Sequence, residues 1–197
     1  MVNIWQISPG QERDKFWPEF KSKNIIAMGW SLLGDLKKYS SNKEIELALR
    51  TKYPERYPEG KYPSNDIKSI KIFSQLVKQH DIIVAKKGAT KNIYGIGSVT
   101  REYHFDNSRE HYKNVLDVNW IIAFGDKTAL DTSKRFIQPT AGKLEPELFK
   151  EIADSISSKF PHLKGVLNKM ETENQTSLVI DKKIYNKIWP FYKQKNK

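Results

Sequence analysis

The sequence contains no cysteine, which excludes disulfide bonds, thiolate metal ligands and cysteine nucleophiles. Such a composition is typical of intracellular proteins, and we expect a cytoplasmic protein. No apolar run approaches the roughly 20 residues that span a bilayer, and Met1 to Ile7 lacks the basic and apolar regions of a signal peptide. The four histidines are not spaced like metal ligands, so we expect neither a metal nor another cofactor.

The motifs of several large enzyme classes are also missing. There is no G-x-x-x-x-G-K-[ST] phosphate loop, no H-E-x-x-H and no G-x-S-x-G. The segment "YGIGSV" has the look of a nucleotide-binding glycine pair, but it lies inside a predicted strand with no helix after it. Glycines there are better explained by a close approach of two backbones. We therefore predict a protein that is not an enzyme.

What the chain has in excess is positive charge and aromatic side chains. It carries 34 Lys and Arg against 23 Asp and Glu, a formal net charge of +11, and 12% of its residues are aromatic. A basic surface attracts polyanions, and exposed aromatic rings stack on bases. Nucleic acid is therefore the first partner to consider, and the alternative is a lysine-rich surface that binds nothing.

Hydrophobic periodicity predicts helices and strands in alternation, over a chain long enough for one core. Strands are predicted at 3–7, 25–28, 82–86, 93–99 and 116–124. Helices are predicted at 11–23, after a Ser41–Glu44 capping box, at 65–80 and at 146–160. Three Tyr-Pro pairs in 53–64 predict a loop with exposed aromatic rings.

This order predicts an α+β fold, a curved mixed β-sheet or small β-barrel with helices outside. We expect one domain over 1–160 and a C-terminal extension over 161–197 that packs on it and ends in a frayed basic tail.

A tryptophan stands at an unusual place in "IIAMGWSLLGDLKKY", residues 25–39. Trp30 follows a glycine at the end of an apolar run, where the chain turns and becomes polar. Such a residue either closes the end of the core by packing or forms one wall of a pocket, and the local sequence does not choose between them.

Five segments in order carry a resemblance to a known family: "IWQISPGQERDKFWPEF", "IIAMGWSLLGDLKKY", "HDIIVAKKGATKNIYGIGSVTREYHF", "VNWI" and "FIQPTAGKLEPELFKEI". Together they resemble the EVE and YTH-like branch of the PUA-type domains over about residues 3–155. They are most similar to the N-terminal recognition modules of McrB-type modification-dependent restriction systems.

The resemblance implies a non-catalytic reader of methylated DNA that flips one modified base into an aromatic cage. It implies N6-methyladenine as the first choice and 5-methylcytosine as the next, with a GTPase motor and a nuclease subunit as partners in a restriction complex. An RNA-binding PUA-type protein is a second possibility. A metal-dependent nuclease or RNA-modification subunit, using Asp35, Asp81 and His80, is a third, from a different class.

The family pattern also implies which residues bind the base. Trp30 and Ser31 match the Trp-Ser pair of YTH domains, and the second wall would come from the loop after the hairpin. Base-edge contacts would come from the segment after the first strand, although Gln11 is equally well placed on a solvated helix. The implied base-binding residues are Trp30, Ser31, Trp17, Ser8, Gln11, Tyr103, Phe105 and Tyr112. Of these, Trp17 has the helical spacing of a core residue.

Basic residues around this pocket would contact phosphates as a group, although for each one by itself an ordinary solvated surface is the better explanation. They are Lys37, Lys38, Lys86, Lys87, Lys91 and Arg101. As a group they predict an affinity that falls as salt rises.

Overall fold

The computed structural model describes residues 2–9, 13–124, 130–131, 136–170 and 172. It contains two compact units, one formed by Ile4–Leu144 and one by Met1–Asn3 with Glu145–Lys197. The division at residue 160 that the sequence suggests stays a prediction. Among the described residues, no helix is both long and apolar enough to cross a membrane.

The Ile4–Leu144 unit is built on a mixed sheet. Its strands are β1 (Ile4–Ile7), β2 (Ile25–Met28), β3 (Ile82–Lys86), β4 (Asn92–Phe105), β5 (Asn114–Ala123), β6 (Leu130–Asp131) and β7 (Ala141–Lys143). The order across the sheet is β2-β5-β4-β3-β1-β7, and β6 pairs with β4. Only β1 and β3 pair in parallel among the described strands. The sheet is open, with β2 and β7 at its edges.

The helices of this unit are α1 (Arg13–Ser22), α2 (Asn42–Lys52) and α3 (Ser64–Lys71), which continues as a π-helical turn over Ile72–Leu76. The predicted capping box is present at α2, because Ser41 Oγ accepts from the Glu44 amide and the Glu44 carboxylate accepts from the Ser41 amide. Short 3₁₀ turns cover Ser31–Leu33 and Leu36–Lys38. The other unit contains α4 (Pro146–Lys159) and a 3₁₀ turn at Pro161–Leu163.

The core lies where apolar strands are covered on both faces. Every residue of β1, β2 and β3 is buried, as expected for strands of mostly apolar sequence, and the buried polar side chains among them are Gln6 and Lys86. Helix α1 packs beside β2, and α3 packs beside β7. The predicted α+β fold, a mixed sheet flanked by helices, is confirmed.

Two glycines of β4 allow the close strand approach that the sequence predicted for "YGIGSV". A Cβ on Gly95 would lie 2.5 Å from the Ile122 carbonyl oxygen, and one on Gly97 would lie 2.7 Å from the Asn119 carbonyl oxygen. Both distances are shorter than real Cβ contacts, so larger residues do not fit here without a backbone shift.

We expect Gly95→Ala to lower the free energy of unfolding by about 1 to 3 kcal/mol, because the methyl group overpacks the β4–β5 interface. Gly29→Ala is the matched control, since a Cβ at Gly29 meets nothing within 4 Å. Urea denaturation of both variants measures the difference. Equal stability of the two would show that β4 and β5 do not approach as closely as described.

Candidate functional site

A cavity of about 540 Å³ opens where the carboxyl ends of β1 and β2 meet four loop segments and the start of α3. Its volume falls in the range of small-molecule sites, roughly 300 to 1,000 Å³. We call it the Trp30 cavity. The side chains that matter most to its chemistry are Ser8, Trp30, Arg56, Asp66, Tyr112 and Gln138.

Two aromatic residues that line the cavity have a left-handed backbone. Trp30 has φ 59° and ψ 34°, and Tyr112 has φ 51°. For bulky side chains this region costs roughly 1 to 3 kcal/mol and persists only where the surroundings enforce it. Such strain concentrates at binding sites, and here both strained aromatic residues lie on one cavity.

A chain of hydrogen bonds fixes the Trp30 indole. Its Nε1 donates to Tyr57 Oη at 3.0 Å, and Tyr57 Oη donates to Asp66 Oδ2 at 2.8 Å. Burial raises the pKa of the Tyr57 phenol well above its usual value, so Tyr57 keeps the proton that it donates. Arg56 pairs with Asp66 Oδ1 at 3.6 Å and lies 5.8 Å from the Trp30 ring centroid.

Helix α2 holds the loop that contributes Arg56 and Tyr57. The Arg50 guanidinium, itself paired with Glu46 at 2.9 Å, donates to the carbonyls of Tyr57, Pro58 and Lys61 at 3.2, 2.6 and 3.1 Å. One side chain thereby satisfies three carbonyls of an irregular segment, which fixes the loop against the helix.

The loop between β4 and β5 holds the second aromatic wall. Arg109 Nε donates to the Tyr112 carbonyl at 3.1 Å, and the Tyr112 ring packs on Phe16 with a centroid distance of 4.6 Å. At the start of β5, Asn114 Nδ2 donates to the Gly29 carbonyl at 2.7 Å. The turn before Trp30 and the turn at Tyr112 are therefore joined by a side chain.

A buried lysine holds the third wall, the segment 137–140. The Lys86 side chain is fully buried, and its Nζ donates to the carbonyls of Ile137 and Pro139, at 2.8 Å for the latter. The Ser8 amide donates to the Thr140 carbonyl at 2.7 Å. This placement corrects the predicted phosphate contact of Lys86, because its ammonium is directed into the protein.

Residues 5–145 match the model of the family described as "Domain of unknown function (DUF8426)". The chain belongs to this family. The match covers nearly all of the Ile4–Leu144 unit and every residue that lines the Trp30 cavity. No curated protein matches the DUF8426 chain.

Two solved structures are similar to the DUF8426 chain at low identity. The Mmi1 YTH domain is 12% identical, with 63% of this chain and 53% of that chain covered and a TM-score of 0.31. The YTH domain of the Zygosaccharomyces rouxii MRB1 protein, in complex with N6-methyladenosine RNA, is 11% identical, with 78% and 88% covered and a TM-score of 0.40. The match therefore spans about half the length of the Mmi1 structure, and both TM-scores are too low to carry an argument.

The predicted base-binding residues of the DUF8426 domain differ in where they lie. Ser8, Trp30 and Tyr112 line the cavity. Ser31 stands beside it, with its Oγ accepting from the Lys113 amide at 3.4 Å. Phe105, half-buried at the end of β4, does not line the cavity, and Gln11 lies outside the described residues.

Two predicted cage residues are core residues instead. Trp17 is fully buried, donates from Nε1 to the Phe124 carbonyl at 2.9 Å and stacks on Tyr94 at 5.1 Å. Tyr103 is buried, and its hydroxyl accepts from the Leu36 amide and donates to Asn114 Oδ1. Neither ring is open to a ligand, which corrects both assignments.

The remaining predicted phosphate contacts are accessible to different degrees. Lys37, Lys38, Lys91 and Arg101 are exposed, and Lys87 is half-buried. Of these, only Lys87 is a direct sequence neighbour of a lining residue, because it precedes Gly88. Phosphate contact stays a prediction for all five.

Two of the three residues proposed for a nuclease, Asp81 and Asp35, have structural roles. Asp81 is buried and accepts from Trp5 Nε1 at 2.7 Å and from the Lys78 amide at 3.0 Å. Asp35 Oδ1 accepts from the Lys37 amide at 2.9 Å and begins a 3₁₀ turn. Within the part of the chain that is described, no group of three or more His, Asp or Glu is arranged to hold a metal ion.

Sequence reasoning missed Arg56, Tyr57 and Asp66. It treated 53–64 as a loop with exposed rings, yet Tyr57 is only 4% exposed. The signal was present in the three Tyr-Pro pairs, because a loop so rich in large rings and rigid prolines is suited to a fixed conformation.

We expect Tyr57→Phe to lower the free energy of unfolding by about 1 to 3 kcal/mol, because it leaves the buried Trp30 Nε1 without its acceptor. Tyr62→Phe is the matched control, since Tyr62 lies in the same loop and is 53% exposed. Urea denaturation followed by circular dichroism measures both. A Tyr57→Phe variant as stable as Tyr62→Phe would contradict the hydrogen-bond chain.

Proposed function

We propose that this chain binds nucleic acid without catalysing a reaction, by accepting one methylated base into the Trp30 cavity. The observation that carries the proposal is the pair of left-handed aromatic residues, Trp30 and Tyr112, on a cavity of nucleotide-sized volume. A methylated base is flat and neutral, so it gains from stacking on an aromatic face, roughly 1 to 3 kcal/mol per base.

Polar groups at the same cavity suit the edge of a base. Ser8, Asn65, Asp66 and Gln138 line it, and together they supply hydroxyl, amide and carboxylate groups. Amide and carboxylate side chains are the usual partners of the amino groups and ring nitrogens of adenine and cytosine. Polar groups that converge on a pocket fix the orientation of a ligand and provide its specificity.

Positive charge around the cavity supports a nucleic-acid ligand. Arg56 lines it, and Lys87 and Lys113 each adjoin a lining residue in sequence. With a net charge of +11 on the whole chain, we expect phosphate contacts that weaken as counterions are added.

The sequence resemblance to McrB-type recognition modules supports DNA as the polymer and a restriction complex as the setting. N6-methyladenine is the first base in this proposal and 5-methylcytosine the second. The GTPase motor and the nuclease would be other domains or subunits. Tighter binding of RNA than of DNA carrying the same methylated adenine would replace DNA by RNA as the proposed ligand.

The test is fluorescence-polarisation binding to matched single-stranded and duplex oligonucleotides carrying N6-methyladenine, 5-methylcytosine or no modification, as DNA and as RNA. At both of two salt concentrations, we expect the N6-methyladenine DNA probe to bind at least about tenfold more tightly than the unmodified DNA probe. This difference corresponds to roughly 1.4 kcal/mol of binding free energy. Equal, salt-sensitive binding of all probes would overturn the proposal.

Filling the cavity gives a direct prediction. A side chain at Gly29, which lines the cavity, meets nothing within 4 Å at its Cβ, so we expect Gly29→Leu to fold and to lose the preference for the methylated probe. Gly165→Leu is the control, because a Cβ there is equally open and Gly165 lies in the other unit. The test is better than truncating Trp30, which is 7% exposed and whose removal costs stability. Retained preference in a folded Gly29→Leu variant would place the ligand elsewhere.

A further inference from the structure

Asp66 is the carboxylate of the Trp30 cavity, and its surroundings determine which hydrogen bonds it has left. It stands in the first turn of α3, where the helix dipole favours a negative charge. Its side chain is 21% exposed, so it is still accessible to a ligand.

The direction of every bond in the Trp30–Tyr57–Asp66 chain is fixed by chemistry. An indole N–H only donates, so Tyr57 Oη is the acceptor of that bond and its own single proton points to Asp66 Oδ2. Asp66 therefore accepts from Tyr57 as a carboxylate, and its remaining lone pairs are all acceptors.

The other carboxylate oxygen is available to a ligand. Asp66 Oδ1 lies 3.6 Å from Arg56 Nη2, which is an ion pair but longer than a hydrogen bond. Arg56 is itself placed over the rings of Trp30 and Tyr57, at 5.8 and 5.4 Å from their centroids. The positive charge of Arg56 offsets the negative charge of Asp66. A carboxylate can therefore be tolerated beside a phosphate backbone.

We propose that Asp66 determines specificity by accepting the exocyclic N–H of the flipped base. This inference rests on the proposed function and narrows its ligand to a base with a donor on that edge. N6-methyladenine has one N–H left on its exocyclic nitrogen, and N6,N6-dimethyladenine has none. The site therefore accepts the monomethylated base and rejects the dimethylated one, because the latter covers the carboxylate without giving it a donor.

The experiment compares wild type, Asp66→Asn and Asp35→Asn on DNA probes carrying N6-methyladenine, N6,N6-dimethyladenine or adenine. Asparagine keeps the size of Asp66 and still accepts from Tyr57 with its one oxygen, which turns its NH₂ group toward the ligand. Asp35→Asn removes the same charge at an exposed position that does not line the cavity. Thermal melts confirm that all three proteins are folded.

We expect wild type and Asp35→Asn to bind the monomethylated probe at least about tenfold more tightly than the dimethylated probe, the size expected for one hydrogen bond to a charged group. In Asp66→Asn we expect the affinity for the monomethylated probe to fall about tenfold or more and this discrimination to disappear.

The outcomes separate the two proposals. A wild type that prefers N6-methyladenine over adenine but binds the dimethylated base as tightly overturns the role of Asp66 and leaves the base-reading function in place. An Asp66→Asn variant that keeps the wild-type discrimination also overturns that role alone. A wild type that binds all three probes equally overturns the base-reading function, and the role of Asp66 with it.

Discussion

The candidate site depends on two linked hydrogen bonds, from the Trp30 indole to Tyr57 and from Tyr57 to Asp66. It joins three separate parts of the chain, the end of β2, the Tyr-Pro loop and the start of α3. Because a left-handed tryptophan is strained, its conformation persists only while such partners enforce it. The same hydrogen bonds that stabilise the Trp30 turn also place the Asp66 carboxylate at the cavity. One network therefore holds both the Trp30 wall and the polar group that we propose contacts the base.

The sheet positions the wall formed by 137–140 through buried polar side chains. Lys86 projects from the central strand β3 to the carbonyls of 137–139, and Gln6 of β1 binds the Ile137 amide and the Lys143 carbonyl. A buried polar group is costly unless it is paired, so these side chains join an irregular segment to strands β1 and β3 of the sheet. The Trp30 turn, the Tyr112 turn and the 137–140 segment are therefore each held by side-chain hydrogen bonds, as a selective site requires.

The sequence predicted the features that depend on neighbouring residues along the chain. Strands β1 to β5, the Ser41–Glu44 cap and the close approach at Gly95 followed from periodicity, cap chemistry and missing side chains, whereas β6 and β7 were not predicted. Base binding by Trp30 stays a prediction. Tyr103 and Trp17 were misassigned because exposure depends on packing between distant segments, which periodicity along one segment does not report. From the sequence alone, Lys86 is expected at the surface, and its burial is seen only in the folded structure. Arg56 and Asp66 enter the site through an ion pair with each other and a hydrogen bond from Tyr57 to Asp66, whose geometry the sequence does not contain.

The most direct test of base recognition at this site is a crystal structure of the chain with a short oligonucleotide that carries one N6-methyladenine. We predict that the methylated base lies in the Trp30 cavity against Trp30 and Tyr112, with its N6 within hydrogen-bonding distance of an Asp66 carboxylate oxygen. An oligonucleotide bound through its phosphates alone, with the methylated base outside the cavity, would contradict it.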